Sequence, residues 1–157
     1  MILVSSCLAG YKCAYDGNAK TTDEIVELVK MGKAIPVCPE QLGGLATPRT
    51  PSECVMVNDE IRVISKKGED LTDEFVKGAK ETLSIANLYD CKYAILKKYS
   101  PSCGARTYDG SFTGALSDMS GITANLLMEN GIEVISSNDE ENVKKLILQL
   151  KQEKIEV

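Results

Sequence analysis

Tyr93-Ala94-Ile95-Leu96, running on through Lys97-Lys98-Tyr99 into Ser100-Pro101-Ser102-Cys103-Gly104, is the stretch that decides the fold. Its first four residues read as a short buried strand, and its end is a turn-forming segment that carries a cysteine. The same arrangement occurs twice more. Ile2-Leu3-Val4-Ser5 runs into Ser6-Cys7, and Ala34-Ile35-Pro36-Val37 runs into Cys38-Pro39-Glu40. A fourth apolar run, Ile132-Glu133-Val134-Ile135, completes the set of expected sheet strands.

Helical patterns lie between these runs. Ile25, Leu28 and Val29 share one face of a helix that Thr22 or Asp23 can cap and Gly32 ends. Thr72, a good N-cap residue, opens a second helix, with Phe75, Ala79, Leu83 and Ala86 on its buried side. A third covers Gly121 to Glu129. A fourth begins within Ser137–Asn142 and presents Val143, Leu146, Ile147 and Leu150. From Ser52 to Lys67, Val55/Val57 and Ile61/Val63 alternate around Asn58-Asp59, which reads as a hairpin. Gln41 to Pro51 is rich in Gly and Pro and reads as a loop.

Alternating strands and helices predict an α/β fold: a three-layer (αβα), Rossmann-like architecture with a mostly parallel sheet and a small hairpin insertion, one domain over residues 1–157. Such folds bind ligands beyond the carboxyl ends of their strands. Cys7, Cys38 and Cys103 all fall just past a strand end, so the topology is expected to gather them on one edge. Packing alone does not require that placement.

Composition narrows the chemistry. A hydrophobic fraction of 43% supports a packed core, and with no Trp and two Phe that core must be built from Ile, Leu and Val. The net charge of -5 offers no general field for a nucleic-acid backbone. The first residues lack a basic region and a long apolar run, and no segment approaches membrane-span length, so a cytoplasmic location without membrane association is expected. The oligomeric expectation is a monomer or homodimer. Histidine is absent, which removes Ser-His-Asp and Cys-His catalysis and every His-bearing zinc site. In the expected reducing compartment the six cysteines are better read as ligands, nucleophiles or buried thiols than as disulfides. No glycine pattern matches a dinucleotide or P-loop fingerprint, so neither NAD nor ATP is expected.

The motifs are similar to those of the DUF523 family of small bacterial proteins and of the thiouracil desulfurases. The matching residues are Val4 to Gly10 with Cys13-Ala14-Tyr15-Asp16-Gly17; Pro36 to Gly44 with Thr47-Pro48-Arg49; and Lys97 to Gly104 with Tyr108 to Phe112. Asp70, Phe75 and Gly78-Ala79 fit as well. The match covers nearly the whole chain.

That resemblance implies a [4Fe–4S] cluster held by Cys7, Cys38 and Cys103, with a fourth iron open to take sulfur from a small thiolated pyrimidine. It implies Glu40 and Ser100 as catalytic residues, with Ser102 as a second candidate for the serine. The competing reading is a non-catalytic iron–sulfur or zinc module acting as sulfur carrier, sensor or interaction domain, for which Cys13 is the reserve fourth ligand. A thiol-redox protein is a third reading, disfavoured by the lack of a CxxC pair. Cys54 and Cys91 are expected to be buried thiols. Asp16, Arg49 and Asp109 are expected to fix loops, with Arg49 pairing to one of the two aspartates.

Overall fold

The computed structural model describes residues 1–153 and bears out the α/β reading. Strands β1 (Ile2–Ser5), β2 (Ala34–Val37), β5 (Tyr93–Leu96) and β6 (Glu133–Ser136) form one sheet in the order β2-β1-β5-β6, with every neighbouring pair parallel. Strands β3 (Ser52–Val57) and β4 (Glu60–Ser65) form a separate antiparallel hairpin. Its two-residue turn, Asn58-Asp59, has positive φ at both positions (50° and 63°), the mirror-image turn that matches the twist of paired strands.

Alternation along the strands sorts the helices into two layers. Ile2, Val4, Ile95 and Ile135 point to one face, where they meet Ile25 and Leu28 of α1 (Asp23–Lys30). Val143, Leu146, Ile147 and Leu150 of α5 (Glu140–Gln152) complete that layer. Leu3, Ala94 and Leu96 point to the other face. There they meet Ala86 of α3 (Thr72–Leu88) and Ala124 and Leu127 of α4 (Ile122–Glu129). The hairpin sits against the first turns of α3 through Cys54, Val63 and Phe75.

The chain leaves β1 for β2 on one side, then returns to place β5 on the other side of β1. Connections therefore diverge above β1 and β5, and a crevice opens there. Two glycines let the surrounding segments close in. A Cβ on Gly78 would lie 1.9 Å from the Pro39 carbonyl oxygen, so its absence seats α3 directly on α2 (Pro39–Leu42). A Cβ on Gly121 would lie 2.6 Å from the Ser102 backbone, so its absence seats the start of α4 against the Cys103 loop.

Four local expectations are corrected. The Gln41–Pro51 loop is preceded and entered by α2, whose Pro39 supplies a preset φ and an N–H the first turn does not need. Thr72 does not cap α3: its hydroxyl donates to Asp70 Oδ1 at 2.6 Å and accepts from the Val63 N–H, while Asp70 Oδ1 accepts the Thr72 N–H. Thr22 stands at the head of α1 without a side-chain capping bond. The last strand lies one residue later than the apolar run suggests, because the register Tyr93↔Glu133 pairs its polar residue too.

Candidate functional site

A cleft of about 350 Å³ opens at the carboxyl ends of β1, β2 and β5, and Cys7, Cys38 and Cys103 all line it. Each arrives differently. Cys7 lies in a 3₁₀ turn (Ser6–Ala9) that begins as β1 ends, Cys38 is the residue that heads α2, and Cys103 follows the Ser-Pro-Ser turn after β5. Glu40 and Ser100 line the same cleft, as do Cys13 and Arg49. Cys54 and Cys91 do not. Cys54 is fully buried under the Cys103 loop, its thiol 3.7 Å from the Pro101 carbonyl oxygen, and Cys91 is packed into the core at the opposite edge of the sheet.

Burial governs the thiols. It pushes Cys7 up to about 11, opposed by the nearby Lys97 ammonium, and Cys103 up to about 12, opposed first by a hydrogen bond from Ser5. Cys13 is pushed up to about 12 by burial and then by the neighbouring Cys38 and Cys7 sulfurs. Left to themselves these groups stay thiols at neutral pH, and a soft cation must displace their protons. Among the described residues no three His, Cys, Asp or Glu side chains stand close enough together to hold one metal ion. The ligands of a polynuclear cluster reach different irons and so stand further apart, and a wider set of soft donors around a cavity suits that group.

The polar wall is a connected network. Glu40 Oε1 accepts from Arg49 Nε at 3.1 Å, with the two side chains only 14% and 8% exposed. Arg49 also donates to the carbonyl oxygens of Cys13 and Ala46 and to Thr47 Oγ1. Its partner is thus Glu40 and not Asp16 or Asp109, which corrects the expected pairing. Asp16 closes its own turn through Asn18 and Lys20, and Asp109 does the same through Ser111. On the other oxygen, Glu40 Oε2 accepts from Ser102 Oγ at 2.8 Å. Ser100 Oγ lies 2.9 Å from Ser102 Oγ and accepts from the N–H groups of Ser102 (3.1 Å) and Cys103 (3.0 Å). Two backbone donors converging on one hydroxyl oxygen would stabilise negative charge on it.

Comparison with known proteins gives the family. A family model described as 2-thiouracil desulfurase matches residues 2–139. The chain belongs to the 2-thiouracil desulfurase family. It is 42% identical over 146 residues to the uncharacterized protein YbbK of Bacillus subtilis (strain 168), covering 88% of this chain and 97% of that one. The solved structure of the [4Fe-4S]-dependent thiouracil desulfidase TudS superposes with a TM-score of 0.82 at 38% identity, covering 94% of this chain and 97% of TudS.

The lysines of the site were not singled out by sequence reasoning. Lys20, Lys97 and Lys98 line the cleft together with Glu53 and the Glu40–Arg49 pair, and Lys20 is itself tied to Asp16 at 3.2 Å. Lys97 is half-buried; burial pulls its pKa down and the adjacent Cys7 partly offsets that. The Lys97-Lys98 pair directly after β5 is the signal that could have found them. Tyr99, next in the chain, holds a left-handed backbone (φ 62°) and packs its ring at 5.6 Å from that of Tyr108, so strain is stored beside Ser100. No described helix is long and apolar enough to cross a membrane.

Proposed function

We propose that the protein is a desulfurase that converts a small thiolated pyrimidine of the 2-thiouracil type to its oxo form, using a [4Fe–4S] cluster held by Cys7, Cys38 and Cys103. The observation that carries this reading is the arrival of three cysteines from three strand ends in one cleft, Cys7 and Cys103 buried and Cys38 half-buried, beside a carboxylate–hydroxyl network, in a chain without histidine. The family and the [4Fe-4S]-dependence of TudS support it. The overall change is non-redox: thiocarbonyl and water give carbonyl and hydrogen sulfide. When bound, the cluster supplies an iron that acts as a Lewis acid toward sulfur.

The chain's own residues do the rest. Glu40, kept in place by Arg49, acts as acid–base for the water that brings in oxygen. Ser100, whose oxygen sits between two backbone N–H groups, faces the ring carbon that loses sulfur. Lys97 and Lys98 favour the ring as its anion. A cleft of about 350 Å³ fits a small ligand and offers no platform for a folded nucleic acid. The chemistry of a free cytoplasmic base is the natural match to this size and charge.

The second reading, a non-catalytic metal module, draws on one observation: Cys13 lies beside Cys38 in the same cleft and could close the site as a fourth ligand. Anaerobic reconstitution with iron and sulfide separates the two. One cluster per chain, lost on Cys7→Ser, Cys38→Ser or Cys103→Ser but kept on Cys13→Ser, together with loss of the thiocarbonyl absorbance of 2-thiouracil, is the expected result. A cluster that needs Cys13 and turns nothing over makes the protein a module.

A further inference from the structure

We infer that Ser102 is a positioning residue that ties the Ser100 hydroxyl to the Glu40 carboxylate and fixes the direction in which Ser100 presents its proton and lone pairs. The inference rests on the reading of the cleft as a desulfurase site. Ser102 itself does not line the cleft and is 1% exposed, so it acts only through its neighbours.

The direction follows from donor and acceptor capacity. A carboxylate can only accept, so the hydrogen in the 2.8 Å contact between Ser102 Oγ and Glu40 Oε2 belongs to Ser102. Ser102 then has no proton left for Ser100, and the 2.9 Å contact between the hydroxyls must carry the proton of Ser100. The Ser100 oxygen meanwhile accepts from the Ser102 and Cys103 N–H groups, which leaves its proton only the Ser102 oxygen among these partners. The chain therefore reads Ser100 to Ser102 to Glu40, with Arg49 holding the far end. The remaining neighbour of Ser102, Cys103 Sγ at 3.7 Å, is a weak acceptor that loses to a carboxylate.

Ser102 is built to stay put. Its carbonyl oxygen accepts the Ala124 N–H at 3.0 Å, and Gly121 lets the head of α4 close on its backbone. A serine that merely filled a turn would not need its hydroxyl aimed at a carboxylate 62 residues away in sequence. Ser100 alone makes the turn-type bonds, from its oxygen to the two following N–H groups.

Cluster-loaded wild type, Ser102→Ala, Ser100→Ala and the double variant are compared with 2-thiouracil as probe, with iron counted per chain in each. Wild-type iron in all four is expected. For Ser102→Ala a fall in kcat of about 100-fold with KM within about threefold is expected, the size of a lost acid–base alignment. The double variant should be no slower than Ser100→Ala, because the two hydroxyls act as a unit. The inference is overturned by a kcat within about threefold of wild type, by effects that multiply in the double variant, or by loss of iron from Ser102→Ala, which would make Ser102 part of the cluster's seat. If wild type does not consume 2-thiouracil, the proposed function fails separately. Labelling of Ser100 by a fluorophosphonate then decides: faster labelling in loaded wild type than in Ser102→Ala sustains the inference, and equal labelling, including none in either, ends it.

Discussion

Cys91 and Cys103 stand beyond opposite ends of β5, and by burial they are nearly the same residue. They are 4% and 5% exposed, they join one apolar cluster with Leu3, Val37 and Leu96, and burial raises both thiols. What separates them is the direction of the strand. Cys91 enters β5 through a tight α3–β5 turn, where its N–H bonds to the Ala86 carbonyl. Cys103 leaves it at the edge where connections diverge, and there it meets Cys7, Cys38 and Glu40 around a cleft. A buried thiol in a parallel sheet is given its chemistry by the edge it stands on, since only the carboxyl edge holds a crevice.

Substitution at the two ends should split this pair completely. Cys103→Ser is expected to abolish cluster uptake and turnover. Cys91→Ala should keep both and cost stability only, about 1 kcal/mol for the lost sulfur contacts. Iron content after anaerobic reconstitution and a denaturant midpoint measure the two effects. Equal iron loss in both would mean that the cysteines differ by nothing the strand direction supplies.

A second test sharpens the contrast through backbone. Gly121→Ala places a methyl 2.6 Å from the Ser102 backbone, where neither element can yield cheaply. A loss of about 3 kcal/mol is expected from overpacking, with weakened cluster retention because the displaced segment carries Cys103. Retention can be followed by the rate of iron release to a chelator. A stable variant with normal release would show that the α4 contact does not position the loop.

Much of this edge was readable in the residues. The runs before Cys7, Cys38 and Cys103 announce strands, the spacing of Ile25, Leu28, Val143 and Leu146 announces the helices that cover them, and a parallel sheet then forces the three cysteines together. What could not be read is pairing across the cleft. Arg49 has an aspartate on either side in sequence, yet it reaches Glu40, because α2 turns that carboxylate back toward the Thr47-Pro48-Arg49 segment. Ser102 looked like the lesser serine because nothing local shows that its hydroxyl faces Glu40. The seats of these loops depend on missing side chains at Gly78 and Gly121, and an absent Cβ has no periodicity to reveal it.

Arg49 offers a smaller effect on the same edge. Arg49→Ala leaves Glu40, 14% exposed, without its cation and leaves the Cys13 carbonyl without its donor. The expected loss is about 2 kcal/mol, below the range for fully buried pairs because some solvent reaches this one. Turnover should fall while iron content holds, since no thiol loses its place. Arg49→Lys should recover only part of both, as an ammonium cannot keep the forked contacts. A variant with unchanged turnover would remove Arg49 from the positioning of Glu40.

The smallest expected effect belongs to a pair that looks alike on paper. Arg62 meets Asp70 through Nε at 3.0 Å and through its terminal nitrogen at 2.7 Å, but in the open, at the head of α3 and outside the cleft. Hydrogen bonds from the Thr72 hydroxyl and N–H, and then from Arg62, draw the Asp70 carboxyl down to about 2. Its ordinary value in an unfolded chain is about 3.9. A carboxyl lowered on folding adds stability above the unfolded value and loses it as the pH falls through the folded one. Asp70→Asn should therefore lower the melting temperature slightly at pH 7, and the gap to wild type should close as the pH falls from about 4 toward 2. Salt should narrow it too, because the pair is exposed. Iron content and turnover should not change. A gap that persisted at the acid end would mean that the Asp70 carboxylate steadies α3 through shape alone, and a gap as large as that of Arg49→Ala would erase the distinction between a solvated ion pair and one walled into the cleft.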